Sequence, residues 1–485
     1  MHDRLGVIDA SMLALESDVA PLHSGAVSIF GPGVDFSVVH DTLAARLPRI
    51  PRARQRVWSP PLGGRPVWID DRGFDLSYHL RHAALPAPGS PEQLGDFVAR
   101  LIARPLDRAR PLWELYVIEG LEGGHTALFH KVHLALAGEA VDPLAAMLDD
   151  ELAAPRPERP RIDWVPEPPP SAVELAVSAA REQTTAAVAV GRRLAHHASR
   201  PARGLTAAAG AAASVLGLAA RVARPAPSSP LNRPLTAHRR FASARLDLDE
   251  LRSVRAAFGG SVNDIVVTVV GDAVGRLLRG RGHETKDLDL SVMVPVRVEE
   301  SSAAGEDLPG AHTLGEGAVG VLAPLPVMPL DPVARLYRVM GELAHLRDSS
   351  HPVAADRLAR LAGFGPARLH ALAARLVTGE QRYNLALSNA PGPQSPRWLA
   401  GVPLEGSYPF IPLAGDAGLS VAVSSYAGAL HVGLLGDRRA LADLCELPGH
   451  LHRAVADLVA AAESQGTAAD GGARGASGPS GPAGG

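Results

Sequence analysis

The sequence predicts an α/β protein in which two αβ segments are separated by a long Ala-rich helical region. Residues 1–150 and 231–463 each mix strand-like and helix-like stretches, whereas residues 171–223 are rich in alanine with scattered arginine. Proline-rich runs at 156–170 and Pro225–Pro230 bound the helical region. We therefore divide the chain into a first domain (1–155), a linker (156–230), a second domain (231–463) and a Gly/Ala/Ser-rich tail (464–485) that we expect to be disordered.

The overall composition is that of a globular protein without a global excess of basic charge. The chain has 485 residues, of which 46% are hydrophobic and 20% are charged, so it is long enough for two substantial cores. A net charge of −3 provides no basic field that would attract nucleic acid. Cys445 is the only cysteine, which excludes an internal disulfide, and its helical surroundings predict a buried apolar role.

In the first domain, the clearest elements are two strands and one helix. Ala26–Phe30 and Thr126–Val132 are short apolar runs bounded by Gly or Pro, which is typical of strands. Pro91–Ala103 predicts a helix, because Leu94, Phe97, Val98 and Leu101 recur on one face.

The linker predicts one or two long helices. Its most apolar stretch, Gly204–Ala220, is short for a membrane span and consists mostly of Ala and Gly, so we interpret it as part of a soluble helix. The arginines along this region can lie on anionic lipid or on a solvated face, and the pattern fits both. His196-His197 has no Cys, Asp or Glu at ligand spacing, so we expect no metal site. The N-terminal residues lack the pattern of a secretory signal.

The second domain repeats the mixture of strands and helices. The predicted strands are Phe241–Leu246, Leu288–Val298, Leu419–Val423 and Ala429–Leu435, the last two resembling a hairpin. The predicted helices are Asp249–Ala257 and the apolar Asp264–Arg279.

A series of short motifs resembles the bacterial wax ester synthase/diacylglycerol acyltransferase family. The deciding stretch is Pro111–Asp150, in which Pro-Leu-Trp is followed by a strand, a Gly-rich turn, a second strand and a histidine. The other motifs, which follow the family order, are Leu5–Glu16, Leu231-Asn232, Ser261–Asp264, Val294–Val296, Ser388–Pro393 and Tyr408-Pro409. The resemblance covers about residues 4–460. It implies two chloramphenicol acetyltransferase-like domains, each a mixed sheet with flanking helices, with an active-site channel between them.

The family's catalytic motif, His-His-x-x-x-Asp-Gly, is degenerate in this sequence. Acyl transfer from a thioester to a hydroxyl needs a base, and the resemblance assigns that role to the second histidine of the motif. Aligned without gaps, the chain keeps the first histidine as His133, but Leu134 replaces the catalytic histidine, Gly138 the aspartate and Glu139 the glycine. Leucine cannot accept a proton.

A different strand register would restore a histidine at the catalytic position. A one-residue deletion in the turn at 122–124 would place His133 there, with Ala137 in place of the aspartate, provided that a bulge absorbed the shift. His130 shares the side-chain parity of position 134 but lies roughly 13 Å away along a strand. We therefore name His133 as the candidate catalytic residue.

Four polar residues are candidates for substrate binding: Asn263, Asp264, Arg297 and Asn389. Asn263 and Asp264 follow Ser261 at the start of an apolar helix, so they can equally form an N-terminal cap. Arg297 replaces a small hydroxyl residue of the family pattern and can bind coenzyme A phosphates or pair with Glu299 or Glu316. We expect no metal and no cofactor, with acyl-CoA as a substrate.

The resemblance leaves three hypotheses for function. The first is an O-acyltransferase, weak or altered, that transfers a fatty acyl group from acyl-CoA to diacylglycerol or a long-chain alcohol. The second is an inactive relative that binds acyl-CoA or lipid. The third is an acyltransferase with a non-lipid acceptor, for which a more reactive nucleophile needs less base. We expect a cytoplasmic location with peripheral contact to the inner membrane face or to lipid inclusions.

Overall fold

Two six-stranded mixed sheets form the framework of the protein, which confirms the predicted two-domain α/β fold. The computed structural model describes residues 3–59, 66–139, 143–149, 164–171, 173–174, 225–297, 318–348 and 383–475. The Ala-rich helices predicted within 171–223 lie almost wholly outside these residues, as does His196-His197.

Four of the six strands of the first sheet come from the first half of the chain. The strands in the first half of the chain are β1 (His23–Phe30), β2 (Gln55–Trp58), β3 (Val67–Asp70), β4 (Leu80–Ala84), β5 (Trp113–Glu119) and β6 (Thr126–His133). The helices are α1 (Val7–Leu15), α2 (Phe36–Arg46), α3 (Leu76–His79) and α4 (Pro91–Ile102). Strands β2 and β3 pair separately with each other. The predicted strands and helix of this domain are confirmed as β1, β6 and α4.

The second sheet has the order β7-β14-β13-β10-β8-β9. Its strands are β7 (Arg239–Asp247), β8 (Asp289–Arg297), β9 (Ala318–Pro326), β10 (Leu385–Ala390), β13 (Leu419–Tyr426) and β14 (Ala429–Asp437). The helices are α5 (Leu248–Phe258), α6 (Val262–Gly280), α7 (Pro332–Asp348) and α8 (Leu447–Gly475). Every element predicted for this domain is confirmed, including the β13–β14 hairpin.

Two strands from the second half of the chain belong to the first sheet. Strands β11 (Trp398–Leu399) and β12 (Val402–Phe410) extend it, because β12 pairs antiparallel with β1, which gives the strand order β11-β12-β1-β6-β5-β4. A Cβ atom at Gly433 of β14 would lie 1.7 Å from the Pro409 carbonyl oxygen, so only glycine permits this approach. The two sheets are thus connected by a strand exchange that the sequence did not predict.

Three apolar clusters hold these layers together. One covers the face of the first sheet that packs on α1 and α2, and includes Phe30 and Trp113. A second lies on the opposite face, where Phe129 packs with residues of α4 and with Phe410 and Leu435. The third joins the second sheet to α5–α8.

Two expectations for the C-terminal region are wrong. The tail predicted to be disordered from Ser464 is helical as far as Gly475, where α8 ends. Cys445 is exposed rather than buried, because it lies on a 3₁₀ turn, Leu444–Glu446, that precedes α8. Within the described ranges no single helix has the length and apolar character to cross a membrane, and only the bent pair α5–α6 meets that test when taken together.

Candidate functional site

Strand β6 carries the candidate histidine at its last position. It pairs with β1 from Phe30↔Thr126 to His23↔His133 without a shift in register, and its pairing with β5 is equally regular. The bulge required by the alternative register is absent from the described pairing of β6. That Leu134 occupies the position of the family's catalytic base stays a prediction.

His133 is enclosed, and its ring nitrogens face protein atoms. The side chain is 1% exposed. Its Nδ1 accepts a hydrogen bond from the Ala135 backbone N–H at 3.0 Å, so the ring proton belongs on Nε2. Nε2 lies 3.5 Å from Oε1 of Glu16. In this arrangement neither nitrogen has a free lone pair for a substrate hydroxyl proton, and the ring is suited to a structural role.

Glu16 is the centre of the polar network around His133. Its carboxylate accepts hydrogen bonds from the Leu22 backbone N–H at 3.1 Å and from Arg108, whose Nη2 is 2.7 Å away. Burial alone would raise the pKa of Glu16, but the contact with His133 and the hydrogen bonds from Arg108 and the Leu22 backbone outweigh it. They lower this pKa to about 2. Glu16 is thus a buried anion at neutral pH. No local sequence pattern indicates its contact with His133, because 117 positions separate the two residues.

Two further titratable groups, His23 and Lys131, lie on the same face of the sheet. His23 is 1% exposed, and its Nε2 lies 2.8 Å from the Ile102 carbonyl oxygen. Burial, and then the Lys131 charge, lower the pKa of His23 to about 3, so this ring is neutral. Lys131 caps the end of α4 through the carbonyl oxygen of Arg104 at 2.8 Å and pairs with Glu114 at 3.2 Å. The hydrogen bond from Lys131 links β6 to the end of α4, and the ion pair with Glu114 links it to β5.

The 3₁₀ turns after β6 pack against the second half of the chain. Ala135 and Leu136 are fully buried and share an apolar cluster with Leu399 and Tyr426. Leu134 itself is only half-buried, and its backbone N–H donates to the Leu22 carbonyl oxygen at 2.9 Å. Position 134 is therefore held by its backbone, while its neighbours supply the core contacts.

Asn263, Asp264 and Asn389 come together at the start of α6. Ser261 caps this helix: its hydroxyl accepts the Asp264 N–H at 3.2 Å, and the Asp264 carboxylate accepts the Ser261 N–H at 2.8 Å. The capping role foreseen as the alternative for Asp264 is present. The Asn263 amide oxygen accepts a hydrogen bond from Asn389 Nδ2 at 3.2 Å, which links α6 to the end of β10. A role for these residues in substrate binding stays a prediction.

Arg297 and His130 are the remaining candidates from the sequence. Arg297 ends β8, where its backbone pairs opposite Ala318, and its side chain lies outside the described part of the protein. His130 is buried within β6 opposite Leu115 and Ala26, and so does not substitute for position 134. Among the described residues no group of three His, Cys, Asp or Glu could hold a metal ion.

Comparisons with protein families and curated proteins agree on one family. The model of the wax ester synthase/diacylglycerol acyltransferase catalytic domain matches residues 5–266, and that of the C-terminal domain matches residues 315–458. The chain is 31% identical over 474 residues to the probable diacylglycerol O-acyltransferase tgs1 of Mycobacterium tuberculosis strain H37Rv, covering 94% of this chain and 96% of that protein. It is 42% identical over 268 residues to the probable diacylglycerol O-acyltransferase tgs3 of the same strain, covering 53% of this chain and 97% of that protein.

Solved structures show the same architecture. The wax ester synthase/diacylglycerol acyltransferase from Marinobacter aquaeolei VT8 aligns with a TM-score of 0.66 at 26% identity, covering 95% of this chain and all of that chain. The starter condensation domain of rhizomide synthetase aligns with a TM-score of 0.52 at 14% identity, covering 95% of this chain and 94% of the other, and this likeness concerns the fold alone.

Proposed function

Because this chain belongs to the wax ester synthase/diacylglycerol acyltransferase family, we propose that it binds a long-chain acyl-CoA and a hydroxyl acceptor and transfers the acyl group only slowly. The acceptor is diacylglycerol or a long-chain alcohol. Both dissolve in lipid, so we expect the acceptor to arrive by peripheral contact with a membrane or lipid inclusion.

The reaction defines what the site lacks. The acceptor oxygen attacks the thioester carbonyl, a tetrahedral oxyanion forms, and the C–S bond breaks to give the ester and coenzyme A thiol. A base must take the hydroxyl proton, and removing such a base costs about 10²–10⁴-fold in rate. The observation that carries our proposal of slow transfer is Leu134 in the base position beside a His133 ring that has no free nitrogen.

Other features of the chain support retained binding. Both sheets, the exchanged strand β12 and the Asn263–Asn389 link are intact although the base is missing. Asn263 and Asn389 remain our candidates for contacts to the substrate, and Arg297 our candidate for the coenzyme A phosphates.

A second candidate function is binding without catalysis. The enclosure of His133 favours it, since the remaining histidine of the motif is committed to Glu16 and Ala135. Such a chain would bind acyl-CoA or lipid as a carrier or a regulatory partner of an active relative.

The two candidates differ in thiol release. We would measure coenzyme A thiol from palmitoyl-CoA, with and without dioleoylglycerol or hexadecanol, for the parent and for Leu134→His. Leu134→Gln is the matched control, because glutamine fills the position without providing a base. Slow acceptor-dependent release by the parent, raised about 10²-fold or more by Leu134→His alone, supports the first candidate. Palmitoyl-CoA binding without release by the parent supports the second.

His133→Ala tests the assignment of the base itself. We expect this variant to lose stability and to retain the parent's low rate at temperatures where it is folded. If His133→Ala abolished a substantial parent activity while circular dichroism showed a folded protein, His133 would be the base and our interpretation of the site would be wrong.

A further inference from the structure

A pocket rich in arginine lies between helices of the second domain. It has a volume of about 520 Å³. Its lining residues are Asp272, Arg276, Arg279, Pro329, Leu330, His450 and Arg453, which we call the arginine pocket. They come from α6, from the loop between β9 and α7, and from α8. Arg276 follows Asn263 by thirteen positions on α6, which corresponds to about 20 Å, so the pocket is separate from the candidate acyl-transfer site.

The positive charge around this pocket is only partly neutralised. Asp272 is buried, and its carboxylate accepts a hydrogen bond from Nε of Arg276 at 2.6 Å. Its carboxylate oxygens also lie 2.8 Å from an Nη of the buried Arg335 and 3.9 Å from an Nη of Arg279. Asp457 adds one contact to Arg276, at 2.5 Å. Two carboxylates thus face three guanidinium groups, and the remaining positive charge favours an anion.

Two pocket groups are available to a ligand. Arg453 is exposed and has no ion-pair partner within the described ranges. The side chain of His450 is 14% exposed, and its Nε2 lies 4.0 Å from the exposed Glu446. Its buried Nδ1 has no hydrogen-bond partner in the described part of the chain. Burial lowers the pKa of His450, and the charge of Arg453 lowers it further.

From this arrangement we infer that the arginine pocket binds a phosphate group. Guanidinium groups bind phosphate oxygens through paired, charge-assisted hydrogen bonds, and a dianion matches the excess of cations. The side chains of Arg276 and Arg279 are about a third exposed, so their outer edges are accessible while Asp272 and Val327 hold their positions. The group can belong to a free phosphate or to the 3′-phosphate of coenzyme A.

Titration calorimetry with inorganic phosphate tests the site in the full-length chain, at pH 7.5 and low salt. We expect binding by the parent and a loss of affinity of about tenfold or more in Arg453→Gln, the size of one charge-assisted contact. Arg255→Gln, an exposed arginine on α5, is the matched control and should bind as the parent does. Circular dichroism verifies folding, and Arg453→Glu should abolish binding by charge reversal. No binding by the folded parent, or equal affinity in Arg453→Gln, would overturn the inference.

A second arm separates the two sources of the phosphate. Coenzyme A and 3′-dephospho-coenzyme A are titrated into the parent and Arg453→Gln. If the substitution weakens coenzyme A binding but not that of the dephosphorylated form, the pocket holds the 3′-phosphate. If it weakens only inorganic phosphate, the pocket takes a free phosphate. The first arm contains no acyl-CoA, so its result does not depend on the proposed acyl transfer.

Discussion

Replacing Glu16 with glutamine should destabilise the first domain by an amount that depends on pH. The Glu16 side chain is 6% exposed, and its pKa falls from the ordinary 4.5 to about 2. At about 1.4 kcal/mol per pKa unit, the charged carboxylate contributes about 3 kcal/mol to stability at neutral pH. Glu16→Gln keeps the shape of the side chain but removes this charge beside Arg108 and His133.

The sign of the pH effect follows from the direction of the shift. A carboxyl whose pKa is depressed on folding stabilises the protein above its unfolded pKa, and the contribution fades as pH falls toward the folded pKa. The gap between the parent and Glu16→Gln should therefore be about 3 kcal/mol at pH 6. It should narrow to about 2 kcal/mol at pH 3.5, between the two pKa values.

Tryptophan fluorescence during urea unfolding is a suitable assay because it reports on the relevant part of the chain. Trp58, Trp68, Trp113 and Trp398 lie in strands of the first domain or its sheet, and Trp164 packs under Arg54. Glu122→Gln, at an exposed carboxylate, is the control and should leave the urea midpoint unchanged at both pH values. A gap for Glu16→Gln below about 1 kcal/mol, or one that is the same at pH 6 and pH 3.5, would refute the reasoning.

Three further changes test other contacts. His431 is buried, its ring has no hydrogen bond among the described residues, and burial lowers its pKa to about 4. Between pH 7.5 and pH 5 the free energy of unfolding of the parent should therefore fall by about 2 kcal/mol, measured by urea unfolding. His431→Leu should not show this loss. Ser261→Ala removes the cap of α6 and should cost about 1 kcal/mol, seen as a lower thermal midpoint, whereas Ser261→Thr, which keeps the hydroxyl, should restore most of it. Gly433→Ala forces a methyl group against the Pro409 carbonyl oxygen and should cost about 1–3 kcal/mol of stability. It should also speed proteolysis between β12 and β13, and an unchanged digestion pattern would contradict the close approach.

The sequence predicted the elements whose signals are local. The apolar periodicity of Pro91–Ala103 and the capped apolar run from Ser261 both correspond to helices in the structure, within one or two residues. The exchanged strand β12 could not be assigned to its sheet in this way, since its partner β1 lies more than 370 positions earlier. The same limit applies to the surroundings of the site residues. Glu16 beside His133, and Arg453 beside Arg276, are brought together by packing across the chain, and neither pair has a spacing that sequence periodicity can report.

The packing around Leu134 shows why the fold does not depend on the side chain at this position. Ala135 and Leu136, immediately after it, are completely buried and supply the apolar contacts that fix the turn, whereas Leu134 is only half-buried. Backbone hydrogen bonds to Leu22 and within the His133 turn hold the chain here whatever side chain position 134 carries. A histidine at this position should therefore be tolerated at little cost to stability, while the chemistry at the site changes by orders of magnitude. Chemistry and stability are separable at position 134, which is why one substitution there can distinguish a slow enzyme from a binding protein.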